Sequence, residues 1–397
     1  MPTNEDIRAE VRAWLAAHWH DDLPARTQSF GRDPRSDWLA KVVAARWAVP
    51  RWSQEWLGRG LDDAQARIIE EEFSAVGAPG SGQDRTNLWA NTALKFARES
   101  FKAEIVPELL SGSVGMCLLY SEPGAGSDLA ATRTRADAQG DTFVVTGQKV
   151  WTSGAHLADY GMLLARTDWD VPKHKGLSFF FLPMKQKGVE IRPINQITGE
   201  SHFNEVFLDA AVVPAANLLG PLNGGWAVLQ TALAYERSLM GDMARGTRTA
   251  SQPPVRDEDL LELARDVGKL GDPAYRQRIA QVTAYRILNR LNTRRGKAEL
   301  AQGTSSPIMS LGKLAMSRIL HEEARLRTDL LEVESLLEGE AHPRADRANF
   351  LALDAYFTSI GGGTDQIQRN IIGERLLGLP KEPEVDRDVA FRKVRAG

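Results

Sequence analysis

The sequence of 397 residues has a single cysteine, Cys117, so neither an intrachain disulfide nor a centre of several thiolates can form. It also lacks an excess of positive charge: 49 Lys and Arg stand against 52 Asp and Glu, for a formal net charge of −3. The arginines are scattered among acids and form no basic tract. Without a positive field there is no general attraction to polyanions, and we expect no nucleic-acid partner.

A third absence is that of long hydrophobic runs. Residues 1–8 lead directly into a charged amphipathic helix, without the apolar core of a secretion signal. Hydrophobic residues make up 43% and charged residues 25%, which are ordinary values for a globular protein. The seven histidines show no ligand spacing typical of a metal site. We predict a cytoplasmic protein with no membrane segment and no metal, long enough for two or three subdomains.

The apolar periodicity changes twice along the chain. Apolar residues recur at helical spacing from Asn4 to about Leu110, and the helical period returns after Gly224. Between them, short β-type runs follow one another without intervening helices, which favours antiparallel pairing because parallel strands need long crossovers. Predicted strands are Thr142–Thr146, Gly161–Ala165, Leu177–Leu182, Val189–Ile194 and Asn204–Leu208. Predicted later helices are Trp226–Met243, Leu260–Val267, Tyr275–Leu291, Ile308–Leu337 and Asn349–Thr358, with a loop at Ala250–Arg256.

Two segments of the predicted β-region carry residues suited to binding a ligand. In Tyr120–Asp128, two serines flank a turn whose glycines allow backbone N–H groups to approach a phosphate or the edge of a flavin. In Gly147–Ala155, a tryptophan at a strand end stands beside two hydroxyl residues. Taken singly, the first segment is also typical of an ordinary β-turn and the second of a core tryptophan. The first is not a dinucleotide fingerprint, since it has no third glycine and no surrounding βαβ unit.

Together, in this order and spacing, the two segments resemble the acyl-CoA dehydrogenase family. The resemblance continues in 201–220, in Tyr235-Glu236-Arg237 and in the late glycine–threonine turn of 361–370. It implies an α+β fold with an N-terminal α-helical domain (1–115), a central antiparallel β-domain (116–225) and a C-terminal four-helix bundle (226–397). It also implies FAD between the β-domain and the bundle. The implied cofactor contacts are Ser121, Gly126, Ser127, Trp151, Ser153, Thr364 and Gln366.

The resemblance also bears on the catalytic base. Many members of the family carry a glutamate immediately before the late glycine–threonine pair, where this chain has Gly362. A smaller group, which includes the isovaleryl and long-chain enzymes, takes its glutamate from the helix after the β-domain, directly before an arginine. Glu236 before Arg237 matches that pattern, so we predict Glu236 as the base, with Arg237 and Gly362 on the substrate side. A helix-face carboxylate paired with a neighbour is the alternative interpretation of Glu236.

The implied function is α,β-desaturation of a branched, long or ring-bearing acyl-CoA, with electrons passed to an electron-transfer flavoprotein. The family's early arginine–phenylalanine motif, which reaches the FAD of a neighbouring subunit, is missing from 268–303. Arginines at 286–295 could replace it or could form a solvated helix face. Two alternatives stay open: a partner subunit of a heteromeric dehydrogenase, and a flavin oxidase or monooxygenase on the same fold. The expected assembly is a homotetramer, or a heterotetramer with a related chain.

Overall fold

The computed structural model describes residues 3–24, 31–243, 259–301 and 308–394. For 236–243, and for Lys297, Leu300, Ala301, Met309 and Ser310, only the backbone is described. The predicted loop at Ala250–Arg256 lies outside the described residues. The chain divides into two compact units, one made of 1–195, 201–236 and 385–397, the other of 196–200 and 237–384.

The first third of the chain is helical, as its apolar period predicts. Thr3 begins the first helix with a full capping box: its hydroxyl accepts the N–H of Asp6, and the Asp6 carboxylate accepts the N–H of Thr3. The buried face of this helix, with Ile7 and Val11, packs against the third helix. The helices are α1 (Asn4–His18), α2 (Ser36–Ala44), α3 (Asp63–Ala75), α4 (Gln83–Thr86), α5 (Leu88–Phe96) and α6 (Glu99–Ser111).

An eight-stranded sheet follows. Its strands are β1 (Met116–Leu119), β2 (Arg135–Gln139), β3 (Thr142–Ser153), β4 (Tyr160–Arg166), β5 (Leu177–Pro183), β6 (Val189–Ile194), β7 (Phe203–Pro214) and β8 (Leu218–Leu219). The order is β6-β7-β3-β2-β4-β5-β8, with β1 paired to β4. Pairing is mainly antiparallel, as predicted, but β1 runs parallel to β4 and one pair of β2 and β4 residues is also parallel. The chain can make the parallel β1–β4 pair because the long stretch 120–159 separates these strands.

The periodicity located five of the eight strands and missed β1, β2 and β8, of which β2 is the most instructive. The β2 sequence Arg-Ala-Asp-Ala-Gln contains no β-branched or aromatic residue, and only Ala136 is buried. Its extended conformation comes from its antiparallel pairing with β3 over residues 135–139 and 142–146. The strand is therefore set by its neighbour and not by its own propensity.

Asp159, just before β4, ties the sheet to the segments that precede it. Its carboxylate accepts hydrogen bonds from the Gly115 N–H at 2.8 Å, from Nε and Nη2 of Arg32 at 3.1 Å each, and from Lys185 Nζ at 2.6 Å. Burial disfavours the charged carboxylate, but these donors outweigh it and lower the pKa of Asp159 to about 2. The ionised carboxylate is thus bound more strongly by the folded than by the unfolded chain.

We expect Asp159→Asn to lower the free energy of unfolding at neutral pH by about 1–2 kcal/mol, because charge-assisted bonds to a mostly buried carboxylate are lost. The folded-state pKa lies below the unfolded value of about 4, so the contribution is present above pH 4 and disappears as the pH falls toward 2. The difference in Tm between wild type and variant should therefore shrink across that window. Asp137→Asn is the control, since Asp137 pairs with Arg135 on an exposed surface. A wild-type/variant difference that stays constant from pH 7 to pH 2 would contradict the assignment.

The C-terminal segment 385–394 belongs to the first of the two units, which contains the sheet and is called the sheet unit below. The segment is anchored by Arg166 at the end of β4. The Arg166 side chain is fully buried and donates to the carbonyls of Ala130, Thr132 and Lys173 at 2.7–3.2 Å. Its guanidinium lies 3.4 Å from the centre of the Phe391 ring, which is also buried. Burial lowers the pKa of Arg166 to about 10, an effect that the nearby Glu122 carboxylate opposes. The group still carries its charge at neutral pH.

Helices return after the sheet: α7 (Gly225–Met243), α8 (Asp259–Asp266), α9 (Pro273–Ala301), α10 (Ile308–Leu331), α11 (Pro343–Ile360) and α12 (Asp365–Ile371). A core formed by α8, α9, α10 and α11 includes Leu260, Val282 and Leu326. The predicted helix Ile308–Leu337 ends at Leu331, because Glu332 has a left-handed φ of +48°. No helix in the described ranges combines the length and apolar character needed to cross a membrane.

Candidate active site

The Ser121–Ser127 segment forms a tight turn at the edge of the sheet. Glu122 N–H donates to the carbonyl of Ala125 at 2.9 Å, and Ala125 N–H donates back at 3.1 Å. Pro123 occupies the position where its fixed φ suits such a turn. Nothing lies within 4 Å of where a Cβ would stand on Gly124 or Gly126, and both glycines are exposed. The backbone here is open to a ligand, as the sequence predicts for Gly126 and Ser127.

A β-bulge in β3 places Trp151 beside this turn. The pairing with β7 shifts between Lys149 and Thr152, so β3 contains one residue more than its partner. Regular alternation would direct Trp151 to the same face as the buried Lys149, but the extra residue makes Thr152 the next buried position. Trp151 has a left-handed φ of +61° and is 59% exposed, and its ring stands edge-on to that of Phe203. A strained, exposed indole is unlike a core tryptophan and is typical of a functional position.

The turn and the bulge are joined by hydrogen bonds. The N–H of Val150, inside the bulge, donates to the carbonyl of Ser121 at 2.9 Å. Ser153 closes β3 opposite Phe203 and is half-buried. The predicted residues Ser121, Trp151 and Ser153 are therefore brought together at one end of β3. This arrangement offers an aromatic face, hydroxyl groups and open backbone, which suits a planar ring with a polar edge.

A buried ion pair lies beneath the turn. Lys149 Nζ donates to Glu122 Oε1 at 2.8 Å, and neither side chain is more than 9% exposed. Burial opposes the charge of the Glu122 carboxyl, but Lys149 and backbone donors keep its pKa below the usual value. Burial also lowers the pKa of Lys149, and the charge of Glu122 opposes that shift. Neither residue has a role predicted from the sequence, although a glutamate in one candidate ligand-binding segment and a lysine in the other are a recognisable signal.

Comparison with known proteins places this arrangement in a family. Three family models match in order: the N-terminal domain of acyl-CoA dehydrogenase over 1–113, the middle domain over 117–210 and the C-terminal domain over 223–377. The chain belongs to the acyl-CoA dehydrogenase family. The resemblance stated from the sequence is thereby confirmed, and the protein is an oxidoreductase with the predicted sequence of helical, β and helical domains.

Individual proteins that are similar to this dehydrogenase point to the same family. Acyl-CoA dehydrogenase IpdE1 of Mycobacterium tuberculosis is 35% identical over 96% of this chain and 99% of the relative. The solved Tcur3481-Tcur3483 steroid ACAD is 27% identical with a TM-score of 0.71, covering 96% of this chain and 98% of that one. The ChsE4-ChsE5 complex from Mycobacterium tuberculosis is 26% identical with a TM-score of 0.66, covering 96% and 99%.

The late glycine–threonine turn of the dehydrogenase lies in the second unit. Gly362 and Gly363 have left-handed φ values of +65° and +86°, which only glycine adopts without strain. Thr364 is the N-cap of α12, where its hydroxyl accepts the N–H of Ile367 at 3.2 Å. Gln366 is exposed on the first turn of that helix. Because Thr364 serves as a helix cap, its hydroxyl already has one partner within the protein.

The predicted catalytic pair lies on α7. The backbone of Glu236 and Arg237 is helical, but their side chains lie outside the described residues. The helix places both residues in the segment that directly follows the sheet, as the sequence predicts. Among the arginines at 286–295, Arg286 binds Glu323, while Arg290, Arg294 and Arg295 are exposed.

Proposed function

We propose that this dehydrogenase binds FAD and desaturates the Cα–Cβ bond of an acyl-CoA thioester. The observation that carries the proposal is the bulge of β3, which exposes the Trp151 indole beside the Ser121–Ser127 turn. The proposed cofactor contacts from the sheet are Ser121, Gly126, Ser127, Trp151 and Ser153, and those from the bundle are Thr364 and Gln366. Bound FAD would supply the acceptor for the hydride that leaves Cβ.

The chain's own residues perform the remaining tasks. Glu236 takes the α-proton of the thioester onto a carboxylate oxygen, which requires the charged form at neutral pH. The N–H of Gly362 donates to the thioester carbonyl and stabilises the negative charge that develops there. Arg237 lies next to the base on the substrate side. Removal of the proton and departure of the hydride need aligned bonds, so the acyl group must be held rigidly.

We propose a bulky substrate, with a branched, long or ring-bearing acyl group. Support comes from the similarity to the Tcur3481-Tcur3483 steroid ACAD and from a base on α7, which leaves glycine at the position of the more common base. The electrons would pass to an electron-transfer flavoprotein, as in the family at large.

The test is the colour of the protein purified alone. We expect a yellow protein that releases FAD, and not FMN, on denaturation, because the turn and the exposed indole are formed within one chain. The measurement is the visible spectrum, followed by chromatography of the released cofactor. A colourless protein that added FAD does not reconstitute would contradict FAD binding by the isolated chain.

A second candidate is a partner subunit in a heteromeric dehydrogenase. It is favoured by glycine at position 362 and by the similarity to the ChsE4-ChsE5 complex. In that case the isolated chain would be colourless, and co-expression with a related chain would yield a yellow heterotetramer. A homotetramer that retains FAD by itself would support the first candidate.

A further inference from the structure

The buried ion pair between Lys149 and Glu122 is not explained by a gain in the stability of the fold. Removing two charges from water costs several kcal/mol, and their mutual attraction often does no more than offset that cost. An apolar pair of the same volume would fill the space at least as well. Lys149 is nevertheless fully buried on β3, and Glu122 is 9% exposed. A role in fixing the geometry of the surrounding backbone explains the presence of the charges.

The contacts of the pair show which backbone it fixes. Lys149 Nζ also donates to the carbonyl of Tyr120 at 3.0 Å, and the Glu122 carboxylate accepts the N–H groups of Arg133 and Thr134 at 2.7 and 2.9 Å. The turn, the start of β2 and the middle of β3 are therefore joined at one point. Each of these contacts is charge-assisted and at least partly buried, so each has a well-defined direction.

These contacts fix the backbone on both sides of Ser121. The carbonyl before it is bound by Lys149, and its own carbonyl is bound by the N–H of Val150. Both carbonyls are thus directed to β3, at two adjacent residues that immediately precede Trp151. The Ser121 hydroxyl has no partner among the described residues, and so stays available to a ligand.

We propose that Lys149 and Glu122 are positioning residues, which set the Ser121–Ser127 turn against the bulge of β3 and so preform the flavin side of the site without touching it. This proposal rests on the proposed function only in taking FAD as the molecule that the site binds. The hydrogen-bonded connection itself is made by residues of this chain, so it can be tested independently of cofactor binding.

The test compares Lys149→Met with a matched control, Glu72→Gln. Glu72 is 6% exposed and binds Arg8 and Arg12 of α1, so its loss also removes a buried carboxylate from its ion pairs, here with arginines that are partly exposed. In the cofactor-free protein we expect Lys149→Met to speed amide hydrogen exchange in peptides covering 120–127 and 149–152 by on the order of tenfold. Peptides from α3 should be unaffected. Glu72→Gln should instead speed exchange in peptides from α3 and leave the peptides covering 120–127 and 149–152 unchanged.

With cofactor, Lys149→Met should raise the Kd for FAD by on the order of tenfold, as expected when preorganisation is lost, while Glu72→Gln leaves it unchanged. The double variant Lys149→Met with Glu122→Gln leaves no charge at either position of the pair and guards against misfolding of the single variant; it should exchange as fast and bind FAD as weakly. The proposal would be overturned if peptides covering 120–127 exchanged at the wild-type rate in Lys149→Met or in the double variant. It would also be overturned if Glu72→Gln weakened FAD binding as much as Lys149→Met. If the wild-type protein does not bind FAD, the proposed function fails, and exchange alone decides on the positioning role.

Discussion

Glu236→Gln should leave FAD binding intact and slow the reduction of the bound flavin by acyl-CoA by on the order of a hundredfold or more. Glutamine keeps the size of the side chain and its capacity for hydrogen bonds, but it cannot accept the α-proton. The measurement is stopped-flow absorbance of the flavin after mixing with substrate, together with the Kd for the acyl-CoA. A large fall in rate with little change in Kd identifies a group that acts on the chemical step.

Glu99→Gln is the control for this prediction, since Glu99 is an exposed helix carboxylate that pairs with Lys102 three residues on. Reduction at the wild-type rate in Glu236→Gln would move the base elsewhere, including to a partner chain. Adding Gly362→Glu to the variant tests whether both positions serve the same α-carbon. We expect only partial recovery, because the left-handed φ of +65° at Gly362 costs a residue with a Cβ about 1–2 kcal/mol.

Phe391→Ala should lower the free energy of unfolding of the sheet unit by about 3–5 kcal/mol, the usual cost of deleting a buried phenylalanine ring. The ring is 1% exposed and packs on the Arg166 guanidinium and on Trp169, with ring centres 5.4 Å apart in the latter pair. Its loss leaves a cavity beside a buried charge. The measurement is denaturant unfolding followed by the tryptophan fluorescence of the sheet unit.

Arg392→Ala is the matched control from the next position in the same segment. Its guanidinium pairs with Asp170 on the surface, with both side chains more than half exposed. Surface pairs contribute little, so we expect a change within about 0.5 kcal/mol. Equal effects of the two substitutions would show that the segment is held by its backbone and charges, and that the Phe391 ring is not the anchor.

The family and the candidate site residues could be predicted from residues close together in the sequence. The order of two motifs predicted the family, and the family was confirmed over all three domains. The helical and β-regions followed from a change of period, because amphipathic helices and half-buried strands need different spacing of apolar residues. The assignment of Glu236 as base still rests on its place in the sequence and on the helical backbone of α7.

Other features depended on contacts between distant segments. β2 is extended because β3 pairs with it, and Trp151 faces outward because β3 has one residue more than β7 between paired positions. Arg166 and Phe391 are 225 positions apart by number, and no local pattern indicates that one covers the other. The sequence by itself determined the family, the secondary-structure periods and the chemistry available at each motif. The tertiary structure alone decided which charges are buried together and which way Trp151 points, since strand register and burial depend on the packing of the whole chain.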